Sequence, residues 1–110
     1  MGMLDNIQTG RENKPPRIMI YGSEGIGKSS YAAGAPNAIF IQTEDGLCEI
    51  DCRKFPLAHS LSEVIAELTA LRDEAHEFQT VVVDSVDWLE RLIFDEVCRA
   101  FGVRSIEKAD

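Results

Sequence analysis

Gly22-Ser23-Glu24-Gly25-Ile26-Gly27-Lys28-Ser29 is the stretch that decides how the rest of this 110-residue chain is read. It follows the spacing G-x-x-x-x-G-K-[ST], and its flanks give it a defined setting. Before it, Arg17 to Tyr21 is a short apolar run closed by Gly22, the pattern of a buried strand that ends in a turn. After it, Lys28 to Ala33 is compatible with a helix, stopped by Gly34 and by Pro36, whose ring disfavours helical geometry at the residue before it. A strand, a glycine-rich loop and a helix in that order predict a phosphate cradle. Gly22, Gly25 and Gly27 permit a tight loop whose backbone N–H groups converge on phosphate oxygens, helped by the positive end of the helix. The run from Gly22 to Ser30, with Ser23, Glu24 and Ile26 included, is expected to line the cofactor. Lys28 sets a point charge beside the β- and γ-phosphates, and Ser29 offers a hydroxyl to the magnesium ion that bridges them. A nucleoside triphosphate and Mg2+ are therefore the expected cofactors.

Outward from the loop the pattern alternates. Ala38 to Gln42 reads as a second apolar strand. Between Ser60 and Phe78, the residues Leu61, Val64, Ile65, Leu68, Leu71, Ala75 and Phe78 recur at three- and four-residue steps, one face of a helix, with Ser60 and Glu63 as a capping box. Thr80 to Val83 is β-branched throughout and ends at Asp84, a third strand. Val86, Leu89, Leu92, Ile93, Val97, Ala100 and Phe101 line another helical face, with Gly102 as its stop. Strand and helix in turn predict an α/β fold with a mainly parallel sheet, covering helices and right-handed crossovers. Residues 1–16, polar and broken by Pro15-Pro16, read as a leader, and residues 17–110 as the folded domain.

Asp84 stands at the carboxyl end of a strand, where open α/β sheets gather ligand-binding groups. A carboxylate there holds magnesium through a coordinated water, opposite Ser29. The plainer alternative is an N-cap for the helix that starts at Val86, a role Asp84 or Ser85 serves equally well. Hydrolysis also needs a carboxylate to orient or deprotonate water. The residue after Asp84, where many such ATPases carry that glutamate, is Ser85, which leaves Glu44 and Asp45 beyond the second strand, or else these are solvated loop acids.

Composition narrows the partners. A formal charge of -8 disfavours a broad electrostatic footprint on nucleic acid or an anionic membrane. No apolar run approaches the roughly 18 residues that span a bilayer, and the opening residues lack a signal-like apolar stretch, so no membrane partner and a cytoplasmic location are expected. Cys48, Cys52 and Cys98 are an odd set and read as reduced thiols; Cys48 and Cys52 with His59 fall short of the four ligands usual for structural zinc. Trp88, Phe94 and Phe101 fall on or near the apolar helical face and read as core rather than as a stacking path for bases.

Three segments together, Ile20-Tyr21-Gly22-Ser23-Glu24-Gly25-Ile26-Gly27-Lys28-Ser29-Ser30, Ala38-Ile39-Phe40-Ile41-Gln42-Thr43-Glu44 and Val81-Val82-Val83-Asp84-Ser85-Val86, resemble the core of RecA-type recombinases. With Glu44-Asp45-Gly46-Leu47 the pattern is similar to phage and prophage ATP-binding proteins of the RecA-like group that accompany single-strand annealing and recombination. The resemblance runs from Arg17 to Phe101. It implies a three-layer P-loop NTPase (RecA-like) core in a bacterial or phage-infected host cell. It also implies a catalytic set of Lys28 and Glu44, with Glu44 as the water-activating base and Asp45 as runner-up.

Such a core has further strands after the helix that follows its magnesium-side aspartate, one of which inserts between the first and third strands here. The expectation is therefore an amino-terminal portion of the fold, with single-stranded DNA contacts and part of a homo-oligomer interface outside these residues, and with nucleotide binding rather than turnover in this chain alone. Two other functions remain open on the same motifs: a small-molecule phosphotransferase, for which Arg53, Arg72, Arg91, Arg99 and Arg104 do not cluster as a phosphate clamp, and a non-hydrolysing, nucleotide-gated interaction module.

Overall fold

A computed structural model of the chain describes residues 2–23, 25–47 and 49–103. One turn of 3-10 helix, Met3–Asn6, is followed by α1 (Lys28–Ala33), β1 (Ala38–Gln42), β2 (Arg53–Lys54), α2 (Leu61–Asp73), β3 (Thr80–Asp84) and α3 (Val86–Phe101). The three strands form one parallel sheet in the order β2-β1-β3. The molecule is α/β, and its three-stranded parallel sheet is consistent with part of a P-loop NTPase fold.

The centre of the sheet is β1, where Ile39, Phe40, Ile41 and Gln42 are all buried. Successive side chains of a strand point to opposite faces, so burial of all four means that both faces of β1 are covered, as parallel strands require. Parallel pairing sets Ala38 against Thr80 and Gln42 against Asp84, so β1 and β3 end level with one another. On the other side β2 is only two exposed residues, opposite Ile39 and Phe40. The chain beyond it stays bonded to β1: Phe55 N donates to Phe40 O and Ala58 N to Gln42 O, each at 3.0 Å, and Gln42 Nε2 donates to Phe55 O at 2.8 Å. Ile41, Ala58 and Val64 form the buried cluster, with Phe55, Leu71, Leu89 and Leu92 packed against it, which seats α2 and α3 together over Ile41.

Three expectations need correction. Arg17 to Tyr21 is not a strand: the segment pairs with nothing among the described residues, and Ile18, Met19 and Tyr21 are 76 %, 74 % and 88 % exposed. An apolar run becomes a strand only when a neighbour completes its hydrogen-bond ladder. The edge of β3 away from β1 is likewise unpaired among the described residues, so the segment before the loop and the β3 edge are not joined. The second helix ends at Asp73 and does not reach Phe78, because Glu74 is extended and the His76 ring closes the end by bonding Leu71 O at 2.7 Å through Nε2 while Nδ1 accepts from Phe78 N at 3.0 Å. Trp88, Phe94 and Phe101, read as core, are 39 %, 39 % and 65 % exposed.

The helix boundaries at the other ends follow their caps. Ser60 Oγ accepts from Glu63 N at 3.3 Å, while the Glu63 carboxylate turns back to the N–H of His59. Gly102, at φ 68°, closes α3 in the left-handed region, with its N–H and that of Val103 bonded back to Arg99 O and Cys98 O. Residues 2–16 of the leader are exposed.

Candidate functional site

The loop from Gly22 to Gly27 turns on two glycines with positive φ, Gly25 at 78° and Gly27 at 98°. A Cβ at either would meet nothing within 4 Å, so the requirement there is conformational. Gly22 differs: a Cβ would lie 3.3 Å from Ile26 Cγ2, so the Ile26 side chain would have to shift by a few tenths of an ångström. Gly27 caps α1, its carbonyl accepting from Tyr31 N at 2.9 Å. Since α1 has only six residues, its contribution to anion binding rests on the N–H groups of its first turn more than on a macrodipole. Ser23, Ile26 and Ser30 are exposed, and Glu24 lies outside the described residues.

Lys28 folds back over this loop. Its Nζ donates to Gly22 O at 2.6 Å and to Ser23 O at 3.0 Å, which holds the ammonium beside the loop that carries it. A phosphate oxygen has only to replace a neutral carbonyl as the acceptor, and charge-assisted bonds are the stronger of the two kinds.

Ser29 points elsewhere. Its hydroxyl donates to Asp84 Oδ2 across 55 residues of sequence, joining the start of α1 to the end of β3. This bond separates the two roles left open for Asp84: the N-cap of α3 is Ser85, whose Oγ accepts from Trp88 N at 3.4 Å, and the Asp84 carboxylate faces the loop instead. The Asp84–Ser85 peptide is cis. A hydroxyl and a carboxylate side by side are hard oxygen donors, few in number, which suits a magnesium ion that takes its other ligands from phosphate and water. No group of three or more His, Cys, Asp and Glu able to hold a metal forms among the described residues, and Cys52 and Cys98 are free thiols.

Glu44 is half-buried and Asp45 exposed, both just past β1. They line a cavity of about 350 Å³ with Thr43, Leu57, Ala58, His59, Trp88 and Leu92. One face of the Trp88 ring carries the Arg91 guanidinium, 4.3 Å from the ring centroid. Glu44 shares no hydrogen bond with Lys28, Ser29 or Asp84 among the described residues. The connection between the two strand ends runs instead through Thr43, whose N–H donates to Asp84 O at 2.9 Å and whose hydroxyl donates to Ser85 O at 2.7 Å and accepts from Ser85 N at 2.9 Å. Sequence reasoning passed over Thr43. A polar residue where a buried strand ends was the only local signal.

A family model described as an AAA domain matches residues 14–110, nearly the whole chain and all of the elements that build this site. The chain belongs to the AAA domain family. It is thus a member of a P-loop ATPase family. The AAA domain chain is also similar to the SPbeta prophage-derived uncharacterized protein YorG of Bacillus subtilis strain 168, at 30 % identity over 94 residues. The alignment covers 82 % of this chain and 29 % of that protein, so the chain spans less than a third of its relative's length. No solved structure matches it. No helix of the described residues is long and apolar enough to cross a membrane.

Proposed function

We propose that this AAA domain chain binds ATP with magnesium, and that in the whole protein it is a RecA-like ATPase serving phage-type recombination or single-strand annealing. The observation that carries the first half is the Ser29–Asp84 hydrogen bond, which puts the hydroxyl that follows the loop lysine against the carboxylate at the end of β3. In this reading residues 17–110 are the nucleotide domain. Lys28 grips the β- and γ-phosphates, Ser29 and Asp84 hold the ion, and the ion, when bound, neutralises charge developing on the transferred phosphoryl group. Glu44 orients and deprotonates the attacking water.

The second half rests on resemblance and on the prophage-derived relative. Single-stranded DNA and homo-oligomer contacts are assigned to surfaces other than this site. Among the described residues Lys14 pairs with Glu12, Arg72 with Asp73 and Arg99 with Glu96, and the formal charge of -8 argues against a broad basic footprint for a polynucleotide. For a phosphotransferase the cavity beside Glu44 would be the second-substrate pocket, but its Glu44 and Asp45 carboxylates would repel a phosphorylated acceptor.

Phosphate release from ATP in the whole protein, with and without single-stranded DNA, tests the reading. Release stimulated by DNA and lost in Glu44→Gln, with ATP affinity retained, is the expected result. Transfer of the phosphoryl group to a nucleoside monophosphate would replace the reading with the phosphotransferase.

A further inference from the structure

β1 and β3 run level to Gln42 and Asp84, so that Asp84 is the last residue of β3 while Glu44 is the second residue past β1. Between them sits Thr43, 4 % exposed. Its backbone N–H makes a further rung to Asp84 O at 2.9 Å, and its hydroxyl then takes both polar groups of the next residue, donating to Ser85 O at 2.7 Å and accepting from Ser85 N at 2.9 Å. A hydroxyl is the smallest group that can donate and accept at once. One side chain therefore supplies a rung of sheet where no strand continues, and it spans the residue before Glu44 and the residue after Asp84.

We propose that Thr43 is a positioning residue: by clamping the Ser85 backbone it fixes the Asp84 carboxylate toward Ser29 and holds Glu44 at a set distance from it, so that the ion-holding groups are in place before the nucleotide arrives. This rests on the magnesium reading of Ser29 and Asp84. The physical basis is preorganisation: without the clamp, Asp84 and Ser85 must be ordered at the moment the ion binds, and that cost is taken from affinity. The phosphate grip alone, made by the loop N–H groups and Lys28, involves neither Thr43 nor Ser85. Thr43 should therefore govern the gain in nucleotide affinity that magnesium brings, and leave the metal-free affinity untouched.

The test is the affinity of the chain for a fluorescent ATP analogue, measured in excess Mg2+ and in excess chelator, for the wild type, Thr43→Val and Thr43→Ser. Val keeps the shape and removes both hydroxyl bonds; Ser keeps the hydroxyl. The expected result is a magnesium gain in the wild type that falls roughly 3–10-fold in Thr43→Val, the equivalent of one or two neutral hydrogen bonds, with unchanged affinity in chelator and recovery in Thr43→Ser. Equal weakening with and without magnesium marks a merely structural role and overturns the proposal, as does a Thr43→Val protein that behaves like wild type. Either result leaves the magnesium reading standing, whereas a wild type with no magnesium gain overturns both. If Thr43→Val does not fold, amide exchange in the wild type decides: Ser85 N–H is expected to be protected, and exchange at the rate of an unprotected amide overturns the clamp.

Discussion

Lys28 and Ser29 are adjacent in the chain but tied to different partners, one to the carbonyls of its own loop and the other to a carboxylate at the end of β3. That division follows from geometry at the start of α1, where side chains one residue apart point about 100° away from each other. Away from the site, Glu67 on α2 is a residue at odds with its surroundings. One of its carboxylate oxygens is buried with no hydrogen-bond partner among the described residues, and Glu63 lies one turn before it. Burial, and secondarily the Glu63 charge, raise its pKa above the ordinary glutamate value. With the folded pKa above the unfolded one, the contribution of Glu67 to stability is fully present below the ordinary glutamate range and is lost as pH rises through the raised value. Glu67→Gln is therefore expected to raise Tm near pH 7 by a small margin, on the order of 1 °C because much of the group faces solvent, and to lose that advantage near pH 4. Thermal melts at the two pH values check it; an equal effect at both would remove Glu67 titration as the cause.

At the scale of elements, the caps carried more information than the apolar patterns. Ser60 and Ser85 each occupy an N-cap, with Oγ accepting from the N–H three residues on, and Gly102 ends α3 where a left-handed residue was expected. These are local devices, written in neighbouring residues, and so they were legible. Ser60→Ala should cost about 1 kcal/mol, a fall in Tm of about 4–8 °C for a domain of this size, with ATP affinity unchanged because α2 lies outside the loop; a variant that weakens ATP instead would tie α2 to the site. The errors came where formation depends on a distant partner. Arg17 to Tyr21 has the composition of a strand but no ladder, and Arg53–Lys54 forms a strand with no strand-like composition because the chain beyond it is pinned to Phe40 and Gln42. Phe78 keeps the helical spacing, yet the helix ends at Asp73, closed by the His76 ring bonded back to Leu71 O. The site divides the same way. The loop and Asp84 were legible as motifs, whereas Thr43 clamping Ser85, 42 residues away, exists only once β1 and β3 are in register.

For the molecule as a whole, a radius of gyration of 17.8 Å stands against about 13 Å for a compact 100-residue domain. The excess has a structural source: the leader and the segment before the loop lie exposed, while the buried core gathers around β1 and the helices over Ile41. The Gly22–Gly27 loop lies exposed at the margin of that core, and Ser29, just after it, is tied to β3 through Asp84. A ligand that binds only the folded form adds stability by mass action, about 2.7 kcal/mol at a hundredfold excess over Kd. In the proposed reading the loop grips nucleotide phosphates through Lys28, with magnesium held beside it. Isothermal titration of ATP in the presence of Mg2+ into the wild type and Lys28→Ala, with matched circular dichroism, tests it most directly. A single site is expected in the wild type, with at least a roughly tenfold loss in a Lys28→Ala chain that remains folded. Equal affinity in the two proteins, or no binding by a folded wild type, would contradict it.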